Sequence, residues 1–322
     1  MKGVRMPKLH LDTDIGGDID DLCALAMVLH WPDAELIAIT TVAEHQGKRA
    51  GYARYASALA GQEDIPVAAG AEASLDCYRS WQGLPDEDAY WPEPIPPVPT
   101  SLDEALSLLQ NSIEQDAIIA TIGPLTNLAL LEKRSPGILR QARLYIMGGW
   151  VFPPRKGFPA WGNHMDWNLQ VDVQSAYDVI QHATPTFVPV SVTVETSLRR
   201  AYLPLLRQSG PLGQLLARQA EVRARDVNIE AQYGQTCAGL PEDTINFQHD
   251  PLACAIALGW NEGVEISEIP LKSEIKDGWL LQRVDDGGEP TRVVVRVNVD
   301  KFNKFWLDTV VRENMVAPRA RA

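Results

Sequence analysis

The chain has 322 residues, 45% of them hydrophobic, with four cysteines and a formal net charge of −13. That length and composition supply a large core without disulfides or structural metals. The charge excludes nucleic acid as a partner, because polyanion binding rests on a basic footprint, and no apolar run approaches the ~18 residues of a membrane span. Cys23, Cys77, Cys237 and Cys254 lack C-x-x-C spacing and no secretory leader pattern opens the chain, so the sequence reads as a reduced, cytoplasmic protein whose ligand is small, neutral or cationic.

Strand-like and helix-like patterns alternate along the chain. "KLHLDT" precedes a helix over 20–30, "ELIAITTV" one over 47–60, and "DAIIATI" one over 124–133; "RLYIMG" follows, and a helix near 172–182 leads to "FVPVSVTV". Such alternation predicts an α/β fold, a mostly parallel, doubly wound sheet with helices on both faces, and places the ligand beyond the carboxyl ends of the strands. No composition break divides the chain, so residues 1–322 form one domain. Residues 71–100 stand apart as a proline-rich surface excursion or flap, because six prolines between 81 and 100 forbid a helix or central strand there.

The run "DTDIGGDIDD" carries five aspartates, Asp12, Asp14, Asp18, Asp20 and Asp21, between the first strand and the first helix. Capping and the helix dipole account for one or two of them. Two carboxylates ~4 Å apart at the strand end repel by on the order of 4 kcal/mol at an effective dielectric near 20, and a bound cation removes the conflict. An EF-hand does not fit, since its twelfth position is Cys23 and the loop is entered from a strand. A Mg²⁺ phosphotransferase using the D-x-D aspartate remains a rival. Further along, "ATIGPLTNLALL" ends a strand at Gly123 and sets Pro124 at a helix start, and "INFQHDPLACAIALG" sets His249 and Asp250 before another.

Taken together, "DTDIGGDIDD", "IAITTVAEH", "IPVAAG", "GPLTNLAL", "YIMGG", "DWNLQVDVQSA", "HDPLA" and "VNVDKFNKFWLDTV" resemble, in order, the inosine-uridine-preferring nucleoside hydrolase family. The resemblance implies a Rossmann-like fold, Ca²⁺-dependent cleavage of the N-glycosidic bond of a nucleoside or related riboside, and a homodimer or homotetramer. It assigns the metal to Asp14, Asp21, the carbonyl of Ile122 and Asp250. Asp14 would also be the base that deprotonates the attacking water, and His249 would assist departure of the nucleobase. For the sugar, it assigns Asp20 to the 2-hydroxyl, Asp166 and Asn168 to the remaining hydroxyls, and Met147 to the pocket lining.

Four departures from the family pattern bear on those roles. Five residues separate Asp14 from the Asp20-Asp21 pair where relatives have three, which makes Asp18 the fallback ligand. His45 stands where relatives place an asparagine toward the ribose. Asp166 is one methylene shorter than the usual glutamate, and the loop 71–85 lacks a histidine common in relatives. Within "ARDVNIEAQYGQ", Tyr233 is the candidate to stack on the base. Two alternatives stay open: a Mg²⁺ phosphohydrolase, which needs an Arg or Lys for phosphate, and a non-catalytic ribose-binding relative, which would have lost Asp14, Asp21 or Asp250.

Overall fold

The alternation of side chains along the first strand decides where the acidic loop goes. A computed structural model describes residues 6–75 and 87–312. In it β1 (Lys8–Thr13) turns Leu9 and Leu11 into one core and His10 and Asp12 to the opposite face. The strands that follow are β2 (Glu35–Thr41), β3 (Val67–Ala69), β4 (Ile118–Thr121), β5 (Arg143–Met147), β6 (Thr186–Val188), β7 (Leu198–Arg199), β8 (Thr244–Asn246), β9 (Glu265–Lys276), β10 (Trp279–Val284) and β11 (Glu289–Arg296). A nine-stranded sheet runs β10-β9-β11-β6-β5-β4-β1-β2-β3, with β7 and β8 forming a separate antiparallel pair. From β6 to β3 every pairing is parallel, and β11 joins β6 in parallel, whereas β9 pairs antiparallel with both β11 and β10.

Apolar helix faces bury both sides of this sheet. Helices Asp20–Leu29, Lys48–Leu59, Pro211–Asp226, His249–Ala257 and Val299–Val310 share one core, and Leu102–Glu114, Thr126–Arg134 and Val173–His182 share the other. β1 lies between β2 and β4, where the strand order reverses direction. That switch point opens a crevice at the carboxyl ends of β1 and β4.

The expected alternation of elements holds, with one correction. "FVPVSVTV" is not a single strand: β6 stops at Val188, Pro189 supplies no N–H to a ladder, and Val190–Thr193 turns helical. Part of the 71–100 segment lies inside the fold, because Glu87, Tyr90 and Trp91 are buried and Trp91 stacks on Tyr52 with ring centroids 4.1 Å apart. Residues 96–99 then pass over the start of the helix Lys48–Leu59, close to Gly47 and Gly51, with the Val98 N–H donating to the Gly47 carbonyl. Residues 76–86 lie outside the described residues.

Candidate active site

The fold gives two of the five aspartates partners of their own and gathers the other three. Asp12, fully buried, accepts from Thr40 Oγ1 at 2.5 Å and Asn127 Nδ2 at 2.8 Å, so it clamps β1 to β2 and to the helix Thr126–Arg134. Asp18 lies against Asp20 and is held by partners of its own. It pairs with Arg223 at 2.8 Å and accepts from Asn246 Nδ2 at 2.9 Å, which places the fallback ligand in an ion pair.

Asp20 and Asp21 open the helix Asp20–Leu29, and Asp250 lies in the first turn of His249–Ala257, which packs against it. One oxygen from each of Asp20, Asp21 and Asp250 lies within 4.8 Å of the others, all three residues buried. Burial first pushes all three carboxyls well above the usual carboxylate range; after it, Asp18 raises Asp20, Asp14 and then Asp20 raise Asp21, and Asp20, Asp21 and Asp14 raise Asp250. Such a set of buried oxygens suits a divalent cation, which neutralises charges that otherwise require protons. Asp20, expected on the sugar, therefore stands with the metal candidates. Asp14 faces them but is not part of the tight triple: its Oδ2 accepts from Trp167 Nε1 at 2.9 Å.

Because the three carboxyls are raised above the usual range, protons compete with a cation for them and cation affinity should rise with pH. At pH 7, a divalent cation that fills this site, at about 100 times its Kd, is expected to stabilise the fold by about 2.7 kcal/mol. At pH 5 the same concentration should stabilise it much less. Thermal melts at both pH values check this, and an equal gain at both would remove the carboxyls from the site.

The remaining expected residues distribute unevenly. Ile122 follows β4, its N–H bonded to the Asp12 carbonyl, and its own carbonyl accepts from Asn168 Nδ2 at 3.0 Å. Asn168 also reaches the Met147 carbonyl at 3.0 Å and Met147 Sδ at 3.2 Å, so the two expected sugar contacts touch each other. Asp166 is buried and spends its oxygens on the N–H groups of Gly149 and Leu169, which makes it the cap of the turn Trp167–Gln170; burial lifts its carboxyl to about 6. His45 is exposed. Its neighbour Glu44 occupies the interior, bonded to Thr41 and to the first N–H groups of the next helix.

His249 and Tyr233 belong to an aromatic wall that single-residue reasoning did not find. Trp161 lies 5.6 Å from Tyr233, 5.0 Å from Phe247 and 5.8 Å from His249 between ring centroids, and Phe247 lies 5.4 Å from His249. The indole N–H of Trp161 is buried with no hydrogen-bond partner among the described residues. His249 Nδ1 meets Thr193 Oγ1 at 2.7 Å, against 3.4 Å from that hydroxyl to the Val190 carbonyl. Burial lowers His249 to about 4, so it is neutral at pH 7.

Two arginines flank the acidic loop without being visible in its motif. Arg223 is bound to Asp18, and Arg49 donates to Glu87 at 2.8 Å, with Arg49 and Glu87 side chains only 4% and 9% exposed. The pair lies so close under the loop that a Cβ on Gly16 would come within 2.6 Å of Glu87 Oε1 and 2.7 Å of Arg49 Nη1. Both cations are engaged by carboxylates, which leaves neither to cradle phosphate. Removing Arg49 strands a buried carboxylate, so Arg49→Ala should cost about 3–5 kcal/mol in urea unfolding. A loss under about 1 kcal/mol would mean that solvent screens the pair.

A family model described as inosine-uridine preferring nucleoside hydrolase matches residues 9–304. The chain belongs to that family. It is 31% identical over 219 residues to the pyrimidine-specific ribonucleoside hydrolase RihA of Klebsiella pneumoniae, covering 64% of this chain and 68% of that one. Uridine nucleosidase 1 of Arabidopsis thaliana is 29% identical over 206 residues, 60% of this chain and 58% of the relative. Among solved structures, the plant nucleoside hydrolase PpNRh1 superposes with a TM-score of 0.75 at 20% identity, over 95% of this chain and 99% of that one. The purine-preferring ribonucleoside hydrolase of Gardnerella vaginalis gives 0.74 at 22%, over 94% and 98%. The Rossmann-like fold of the nucleoside hydrolases thus extends over nearly the whole chain, and membership makes it a hydrolase of N-ribosyl bonds.

Proposed function

We propose that this nucleoside hydrolase cleaves the N-glycosidic bond of a nucleoside, or a closely related riboside, with Ca²⁺ as its metal. The observation that carries the metal is the buried triple Asp20, Asp21 and Asp250, with Asp14 beside it at the carboxyl ends of the strands. Those three carboxylates, Asp14 and the Ile122 carbonyl form a donor set of oxygens alone, which favours a large, flexibly coordinated ion. When bound, the ion supplies positive charge that eases deprotonation of water and quenches the repulsion among the aspartates.

Asp14 takes a proton from the attacking water, whose oxygen forms the new bond to the anomeric carbon. The bond from that carbon to the base nitrogen breaks and its electron pair leaves with the base. His249 donates a hydrogen bond from Nε2 to the departing base, held in orientation by Thr193. Asn168 and Met147 support the sugar side, and Trp161, Tyr233 and Phe247 give the base an apolar wall against which it stacks.

The chain works in the reducing cytoplasm as a homodimer or homotetramer. Free Cys23, Cys237 and Cys254 agree with that compartment, and no described helix is long and apolar enough to cross a membrane. Reducing-sugar release from a panel of purine and pyrimidine nucleosides, with and without chelator, tests reaction, substrate and metal at once. No release from any nucleoside would refute the substrate class, and full activity in chelator would refute the metal.

A further inference from the structure

The tripeptide Asp166-Trp167-Asn168 ties together the ends of three strands. Asp166 Oδ2 accepts from the Gly149 N–H just past β5 at 2.7 Å. Asn168 reaches the carbonyls of Ile122, just past β4, and Met147, in β5. Between them Trp167 reaches Asp14, just past β1. One short turn thus braces the whole crevice.

Trp167 is unlike a packing residue. It is 42% exposed, yet its single polar atom is directed at the half-buried Asp14 carboxylate rather than at solvent. Asp14 Oδ1 lies beside Gly123, where an added Cβ would come within 3.0 Å of it. The tether at Oδ2 restricts rotation of the carboxylate.

We propose that Trp167 is a positioning residue for the base Asp14: its indole N–H holds Oδ2 so that the carboxylate keeps one orientation toward the attacking water. This rests on the N-glycosidic reading above. A base delivers its rate only when held within hydrogen-bond reach of the proton it removes, and an N–H to a carboxylate is a strong tether. A ring without the N–H would line the crevice equally well but would not hold the oxygen.

Trp167→Phe separates these two contributions. On a nucleoside that the wild type hydrolyses, the variant should lose about 10- to 100-fold in kcat, the size of one hydrogen bond to a charged group, while KM stays within about twofold because the ring remains. Trp167→Ala should lose the same kcat and also raise KM. Independently of turnover, the indole ¹H–¹⁵N resonance that disappears in Trp167→Phe should lie downfield in the wild type and move upfield in Asp14→Ala. Trp167→Phe with wild-type kcat on an active enzyme overturns the proposal and leaves the function standing, as does an indole resonance indifferent to Asp14→Ala. A wild type inactive on every nucleoside overturns the functional reading instead, and the catalytic part of this proposal with it.

Discussion

Asp14→Asn is expected to reduce turnover by about 10²- to 10⁴-fold, the usual worth of a positioned general base, with the fold intact. Its sign on stability distinguishes a catalytic from a structural residue. Burial raises the Asp14 carboxyl to about 6, with Arg49 opposing that shift. A folded-state pKa above the ordinary value means that stability is fully present below about 3.9 and is lost as pH rises through about 6. At pH 7 the ionised Asp14 therefore costs stability in the absence of a cation, and an uncharged amide removes that cost. Metal-free Asp14→Asn should melt no lower than wild type at pH 7 while its kcat collapses. A protein that instead loses several degrees and keeps its kcat would make Asp14 a structural residue.

The second large effect belongs to His249. A nucleobase leaving as an anion gains from a donor, and Thr193 Oγ1, 2.7 Å from Nδ1, holds the His249 ring in place. Because the imidazole is neutral down to about pH 4, it assists as a hydrogen-bond donor throughout the neutral range, without a proton lost near pH 6.5. His249→Ala should lose about 10²- to 10⁴-fold in turnover on a natural nucleoside and retain most of its rate on p-nitrophenyl riboside, whose leaving group departs unprotonated. Parallel assays on one preparation decide it. Equal losses on both substrates would make His249 a sugar-positioning or structural group.

Much of the fold was legible because local and global preferences agree. "KLHLDT", "ELIAITT" and "RLYIM" alternate or run apolar as buried parallel strands do, and the acidic run sits where a strand meets a helix. The helix Leu102–Glu114, by contrast, went unread, although Ser101 and Glu104 form a capping box at its start. "FVPVSVTV" misled because apolar β-branched residues fit a buried strand and a buried helical turn equally well, and only Pro189 separates them.

The candidate site divides the same way. Aspartates, a Gly-Pro start and His249-Asp250 are chemical types crowded into short motifs, so the sequence by itself determined the fold family, the oxygen-rich character of the site and its place at the strand ends. Which aspartate does what was decided only by tertiary structure. Asp12, Asp14, Asp18 and Asp20 are near-equivalent on paper, and their roles come from partners far away in the chain: Asn127, Trp167, Arg223 and Asp250. The aromatic wall of Trp161, Tyr233 and Phe247 likewise gathers from three separate segments. A carboxylate's charge state and reach depend on what burial and neighbours do to it, and those neighbours are chosen by the crossing of strands and helices, which no local spacing records.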